Sequence, residues 1–261
     1  MAKKTKAADL LQIKTATMSN IGARSSQQDA FGISDINNEK LVQEKGVLAI
    51  VSDGMGGLEN GAQSSLTTVA VFQEYFRTAL FTAQPHQELL RMTAQANKNV
   101  LRRTRERGDR SGATLIATYV TGQSLYFVSV GYSRIALLRG ETLIPLNRRH
   151  VYARELDKEE AFGERSTQEA LSHPERKSLT SYIGQDPVKH IDFNTDPVQL
   201  FAGDRVLLMT DGIFNTLTDA EILEELGGRR EINRCMAGLQ KRVLEKQKAG
   251  QDNFTAVCLQ V

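Results

Sequence analysis

Two distant segments share one pattern: Val47-Leu48-Ala49-Ile50-Val51-Ser52-Asp53-Gly54 and Val206-Leu207-Leu208-Met209-Thr210-Asp211-Gly212. Each runs an apolar stretch into a hydroxyl, an aspartate and a glycine. The apolar runs read as strands buried on both faces or nearly so. Each strand therefore carries a carboxylate to its lip, where glycine lets the backbone turn sharply and approach a ligand. Two further aspartates stand at strand starts, Asp29 before Ala30-Phe31-Gly32-Ile33 and Asp252 before Asn253-Phe254-Thr255-Ala256-Val257. If these strands lie side by side, four carboxylates meet at one end of the sheets. Carboxylates so placed repel one another unless a cation neutralises them. Carboxylate and backbone-carbonyl oxygens are hard ligands, suited to Mg2+ or Mn2+. The histidines His86, His150, His173 and His190 are scattered, and no cysteine pair or His-Glu-x-x-His run offers a zinc site. One Asp-Gly alone reads as a turn; the set of four aspartates points to an oxygen-ligated metal site.

The elements that must position these groups are short. Strands are expected at Lys14–Met18, Ala30–Ser34 and Gly46–Ser52, then helices over 61–81 and 86–107, the second ending in the basic run Arg102–Arg107, read as a solvated helix end. Ala113–Val120, Ser124–Val130, Arg134–Arg139 and Glu141–Pro145 follow one another across short turns, a spacing that favours an antiparallel meander. Residues 148–186 read as short helices in an insertion. Strands resume at Lys189–Phe193 and Arg205–Thr210, helices at 218–227 and 229–248, and Asn253–Gln260 closes the chain. Strands at both ends and helices in pairs point to one α+β domain over residues 10–261, a β-sandwich core flanked by helices, after a flexible stretch at 1–9.

The 261 residues suffice for one sizeable core, with 40% hydrophobic and 25% charged residues. Lys+Arg at 33 against Asp+Glu at 31 leaves a net charge of +2, too even for a general nucleic-acid binder. Cys235 and Cys258 make no disulfide framework, which favours a reducing compartment. Neither a secretory signal nor an apolar run long enough for a membrane span is legible. The expectation is a cytoplasmic monomer without nucleic-acid or membrane partners.

Gly22-Ala23-Arg24-Ser25-Ser26-Gln27-Gln28-Asp29 and Asp53-Gly54-Met55-Gly56-Gly57, with Gly61 and Ser65 downstream, resemble the first blocks of the bacterial PPM (type-2C) metal-dependent protein phosphatases. Ser111-Gly112-Ala113-Thr114, Val130-Gly131-Tyr132-Ser133-Arg134, the stretch from His173-Pro174 to Ile183-Gly184, Thr210-Asp211-Gly212 and Asp252-Asn253-Phe254-Thr255 are similar to the later blocks. They occur in family order over residues 22–258. The resemblance implies a four-layer α-β-β-α sandwich of two mainly antiparallel sheets, with two Mn2+ or Mg2+ ions at one end. It implies that Asp53 bridges both ions, with the Gly54 carbonyl on one and Asp211 and Asp252 on the other. Asp29 would hold metal-bound waters and Arg24 would grip the substrate phosphate. The implied reaction is hydrolysis of phosphoserine and phosphothreonine in proteins, with hydroxide held between the metals attacking phosphorus in line. Implied partners are phosphoproteins and a cognate kinase, with residues 148–186, which include the family's flap, helping to choose the substrate.

The chain departs from the family at several points. Tyr132 stands where most members carry a third-metal aspartate; it either weakens that site or packs harmlessly under the flap. Gln28 replaces an acidic neighbour of Asp29. Met55 and Leu58 stand where some relatives place a proton-donating histidine, and Arg149-His150 replaces an Asp-His pair, leaving His150 as packing or as a catalytic group. Two functions follow: an active phosphatase, or a degenerate module of the same fold that binds or regulates with little hydrolysis.

Overall fold

Alternation inside the apolar runs sets the layers. Val47, Ala49 and Val51 face one way, into a core shared with Ile116, Ile135, Val206, Leu208 and Val257, while Leu48 and Ile50 face the other way, into a core with Phe72, Leu89 and Met92. Leu207 and Met209 point to a third core, with Ile222, Leu239 and Val243. A strand with both faces covered has no polar face to show, hence the unbroken apolar runs.

A computed structural model describes residues 12–56, 58–79 and 84–261, with only the backbone of Leu58 and Glu59. The expected flexible stretch 1–9, Gly57 and the Leu58 side chain lie outside the described residues. Strands β1 (Lys14–Asn20) and β2 (Asp29–Ile33) lead through helix α1 (Glu39–Lys45) to β3 (Val47–Met55). Helices α2 (Leu58–Thr78) and α3 (Pro85–Arg107) come next, then β4 (Gly112–Ala113), β5 (Leu115–Thr121), β6 (Ser124–Val130), β7 (Arg134–Arg139) and β8 (Thr142–Pro145). Helices α4 (Ala153–Ala161) and α5 (Thr167–Ser172) occupy the 148–186 stretch, followed by β9 (Asp192–Phe193), β10 (Val198–Gln199) and β11 (Arg205–Met209). Helices α6 (Asp211–Phe214), α7 (Asp219–Leu226) and α8 (Ile232–Glu245) precede β12 (Phe254–Gln260).

One sheet has the order β1-β12-β11-β7-β8 and the other β10-β6-β5-β3-β2, with β4 on β3 and β9 on β6; the pairings are antiparallel. Helices α2 and α3 cover the second sheet through Phe72, Phe76, Leu89, Met92, Ala96 and Val100. Helices α7 and α8 cover the first. The α8 residues Ile232, Cys235, Met236, Leu239 and Val243 are spaced to lie on one helical face, and all are buried. Each large side chain so buried contributes about 1.5–3 kcal/mol. The result is the four-layer α-β-β-α arrangement.

Three local expectations are corrected. The four consecutive strands do not form one meander: β5 and β6 pair in one sheet, whereas β7 and β8 pair in the other. The chain changes sheet at Gly131, whose φ of +103° leaves a Cβ no room beside the Thr114 side chain; turn length alone does not reveal such a switch. The strand expected from Lys189 forms only at Asp192–Phe193, because the Ser181 hydroxyl bonds both the N–H and the carbonyl of His190. And Gly54 does not turn the chain: β3 runs through it to Met55, and the positive φ falls at Gly56. Helix α1 escaped the periodicity because none of its residues is buried.

Candidate metal centre

Register brings the four aspartates to one end. Asp29 and Asp53 are direct cross-strand partners in β2 and β3. In the other sheet β11 ends at Met209 opposite Ala256 of β12, so Asp211 and Asp252 flank the same edge. Thr210 joins the two sheets there: its hydroxyl donates to Asp29 Oδ2 at 2.9 Å and accepts the Thr255 N–H at 2.9 Å. The hydroxyl in the first motif works differently, Ser52 donating to the Thr114 carbonyl at 2.6 Å. Thr114 holds Asp53 from both sides, its Oγ1 accepting the Asp53 N–H at 3.0 Å and its own N–H reaching the Asp53 carbonyl at 2.8 Å.

The two motif glycines are explained by crowding. A Cβ on Gly54 would stand 2.1 Å from the Gly61 carbonyl oxygen of α2, and one on Gly212 would stand 2.1 Å from the Asn253 carbonyl oxygen. Asn253 also organises the preceding loop, its side chain accepting the Gln28 N–H and donating to the Ile21 and Ser26 carbonyls. This positions Arg24.

The electrostatics are those of crowded, desolvated acids. Asp53 retains some exposed surface, but its carboxyl group is enclosed; burial first, then Asp29, Asp211 and Asp252, push it well above the ordinary carboxylate range. Asp29 rises to about 7, chiefly through burial and further through Asp211 and Asp252, against hydrogen bonds from Thr255 and Thr210 that favour its anion. Burial also raises Asp211, followed by the Asp252 charge, while Lys177, Lys248 and Arg24 pull it back. Asp29 Oδ1 is buried with no hydrogen-bond partner. A buried orphan oxygen among repelling carboxylates is a donor set that fits hard divalent cations.

The ligand shell is not closed. Among the described residues no three His, Cys, Asp or Glu side chains converge on a common centre. Two candidate ligands are engaged elsewhere: Asp252 Oδ2 accepts from Arg24 Nη2 at 2.8 Å, and Asp211 Oδ2 accepts from Asn215 Nδ2 at 3.0 Å. Arg24, expected to grip phosphate, thus sits at the right end but is paired with a carboxylate. Tyr132 donates to Asn215 Oδ1 at 3.4 Å, packs edge-on against Phe214 and lies under the Arg149 guanidinium. Burial raises its phenol, which stays neutral.

His150 is packing. It is buried, its Nδ1 accepts the Gly131 N–H at 3.1 Å, and its ring lies 5.8 Å from that of His190. Gln28 gives its carbonyl to the Gly54 N–H and to the Ser65 hydroxyl. Sequence reasoning had Thr114 and Asn253 within its motifs without seeing their roles, and it missed Asn215 and Lys177, which no local signal marks.

A protein phosphatase 2C family model matches residues 18–248 of the chain. The chain is 29% identical over 227 residues to a serine/threonine phosphatase, stp, of Listeria innocua, covering 84% of this chain and 86% of that one. Its fold matches the Streptococcus agalactiae serine/threonine phosphatase with a TM-score of 0.80 at 26% identity, over 95% of this chain and 99% of that one. It also matches the catalytic domain of the phosphatase PstP in complex with two manganese ions, TM-score 0.74 at 24% identity, over 95% and 97% of the two chains.

Proposed function

The chain belongs to the protein phosphatase 2C family, and from that premise we propose that it hydrolyses phosphoserine and phosphothreonine in proteins with two divalent cations, Mn2+ or Mg2+. One observation carries the reading: four aspartates from both sheets gather at one edge, with Asp53 desolvated and surrounded by the charges of the other three. Such a cluster is costly and persists where cations compensate it.

In this reading Asp53, the Gly54 carbonyl, Asp211 and Asp252 would hold the metals, and Asp29 would order water beside them. The cations would acidify water and neutralise phosphoryl charge. Asp53 is fixed by Thr114 on β3, which keeps its carboxylate at the sheet edge. Thr210 orients Asp29 by donating to Oδ2, so that the unpartnered Oδ1 is left to accept a proton or a water hydrogen. Arg24, half exposed, is near enough to turn from Asp252 to a bound phosphate, where a planar guanidinium binds two oxygens at once. Tyr132, neutral and tied to Asn215, is a poor metal ligand, so a third ion would be held weakly here. Phosphoproteins, and the kinase that makes them, are the proposed partners. The proposed unit is one domain, residues 10–261, with the 148–186 flap beside the site.

A second reading has one observation in its favour: Tyr132, a neutral phenol tied to Asn215, stands where a carboxylate would serve a metal, which suits a module that binds or regulates with little hydrolysis. Hydrolysis of p-nitrophenyl phosphate separates the two. The phosphatase reading expects release that requires Mn2+, stops with EDTA and is lost in Asp211→Asn. Release by the wild type no greater than that of Asp211→Asn would favour the binding module.

A further inference from the structure

A cleft of about 750 Å3 opens between the 148–186 stretch and the body of the protein. Its lining carries six cations, Arg134, Arg148, Arg149, Arg154, Arg176 and Lys177, against two acids. Both acids are already paired, Asp219 with Arg134 at 2.5 Å and Asp157 with Arg176 at 2.8 Å. Among the described residues the side chains of Arg148, Arg149, Arg154 and Lys177 have no carboxylate within ion-pair distance. The cleft adjoins the aspartate cluster. Tyr132 and Phe214 line it, Phe214 ends the helix that Asp211 begins, and Lys177 acts on Asp211 across the gap.

This charge is local. The chain as a whole carries +2, so six cations against two acids in one cleft are a local excess of charge rather than a property of the whole surface. A concave, cationic channel leading from the carboxylate edge suits the chain that flanks a phosphoresidue. An extended peptide advances about 3.3 Å per residue, so side chains next to the phosphoresidue come within reach of Arg149, which lies over the Tyr132 and Phe214 rings, and of Lys177; Arg148 and Arg154 line the same cleft. Guanidinium groups match carboxylates in shape as well as charge.

We infer that this cleft binds Asp and Glu residues adjoining the phosphoresidue, making the protein selective for phosphopeptides with an acidic flank; the inference rests on the phosphatase reading above. A membrane surface would call for a broad exposed basic face rather than a cleft, and single-stranded RNA, which also binds cationic grooves, is the competitor the test includes.

Binding and turnover test it separately. Full-length protein in EDTA and low salt is titrated into fluorescent phosphothreonine peptides that differ only in three flanking residues, Glu or Gln, and into single-stranded RNA of equal charge. The expected result is about tenfold tighter binding of the Glu peptide than of the Gln peptide, equivalent to about 1.4 kcal/mol, and a ratio near one in Arg148→Glu/Arg154→Glu. These two side chains are exposed, so the fold should survive; Lys177→Gln should lower the ratio as well. Equal binding of the two peptides by the wild type, an unchanged ratio in the double variant, or tighter binding of RNA overturns the inference. Hydrolysis of p-nitrophenyl phosphate in Mn2+ is followed in parallel. Loss of peptide preference with hydrolysis intact sinks the cleft alone, and peptide preference without any hydrolysis sinks the phosphatase reading instead.

Discussion

Asp29→Asn should make the metal-free protein more stable, and only at neutral to alkaline pH. Asp29 titrates near 7 in the fold against an ordinary 3.8. The folded state therefore holds a proton that the unfolded chain releases between those values, so stability falls as pH rises through that window. At pH 8 the full cost of the buried anion, about 4 kcal/mol, is present. An asparagine carries no such charge. Its amide oxygen still accepts from Thr210, but its NH2 takes the place of the unpartnered Oδ1, at a cost of about 1–2 kcal/mol for a buried donor without a partner. The net gain is about 2–3 kcal/mol at pH 8, or roughly 5–10 °C in Tm for a chain of this size, and close to zero at pH 4.5. Thermal and guanidinium unfolding in EDTA at the two pH values measures it. With Mn2+ at pH 8 the order should reverse, because a cation bound to the native state stabilises the wild type by RT ln(1 + c/Kd), where c is its free concentration. A variant that is less stable than the wild type in EDTA at pH 8, or whose advantage is the same at both pH values, would refute the view that Asp29 is a desolvated anion awaiting a cation.

Three further outcomes are expected. His150 is held neutral, its pKa lowered to about 4 chiefly by burial and then by His190 and Arg154, so the fold loses stability as pH falls from about 6.5 towards 4, by up to about 3 kcal/mol; His150→Asn, whose oxygen can take the Gly131 N–H, should flatten that loss in urea titrations at pH 5 and 7. Gly54→Ala drives a methyl group into the Gly61 carbonyl and should cost more than about 3 kcal/mol, read as a lowered denaturation midpoint; a midpoint unchanged from wild type would contradict the close approach of α2. Tyr132→Asp replaces a neutral phenol with a hard ligand beside Asn215 and should raise activity or lower the Mn2+ concentration for half-maximal activity; an identical metal titration would remove the third-ion argument.

Much of this protein is written locally. An apolar run that ends in hydroxyl, aspartate and glycine announces a buried strand with a carboxylate at its lip, and the ordered motifs from Arg24 to Asp252 pointed to the family whose model matches residues 18–248. What the linear pattern could not carry is pairing. Val47 to Val51 are apolar without a break, so nothing in the run says that alternate residues serve two different cores; that is decided by which sheet and which helices come to cover each face. The turn at Gly131 has the length of a hairpin, yet the chain changes sheets there because the Thr114 side chain and a positive φ direct it across. Arg24 meets Asp252 from the opposite end of the chain, and the charge of Lys177 acts on Asp211 from the 148–186 stretch, because hydrogen bonds, charge and desolvation act through space between groups that the sequence holds apart.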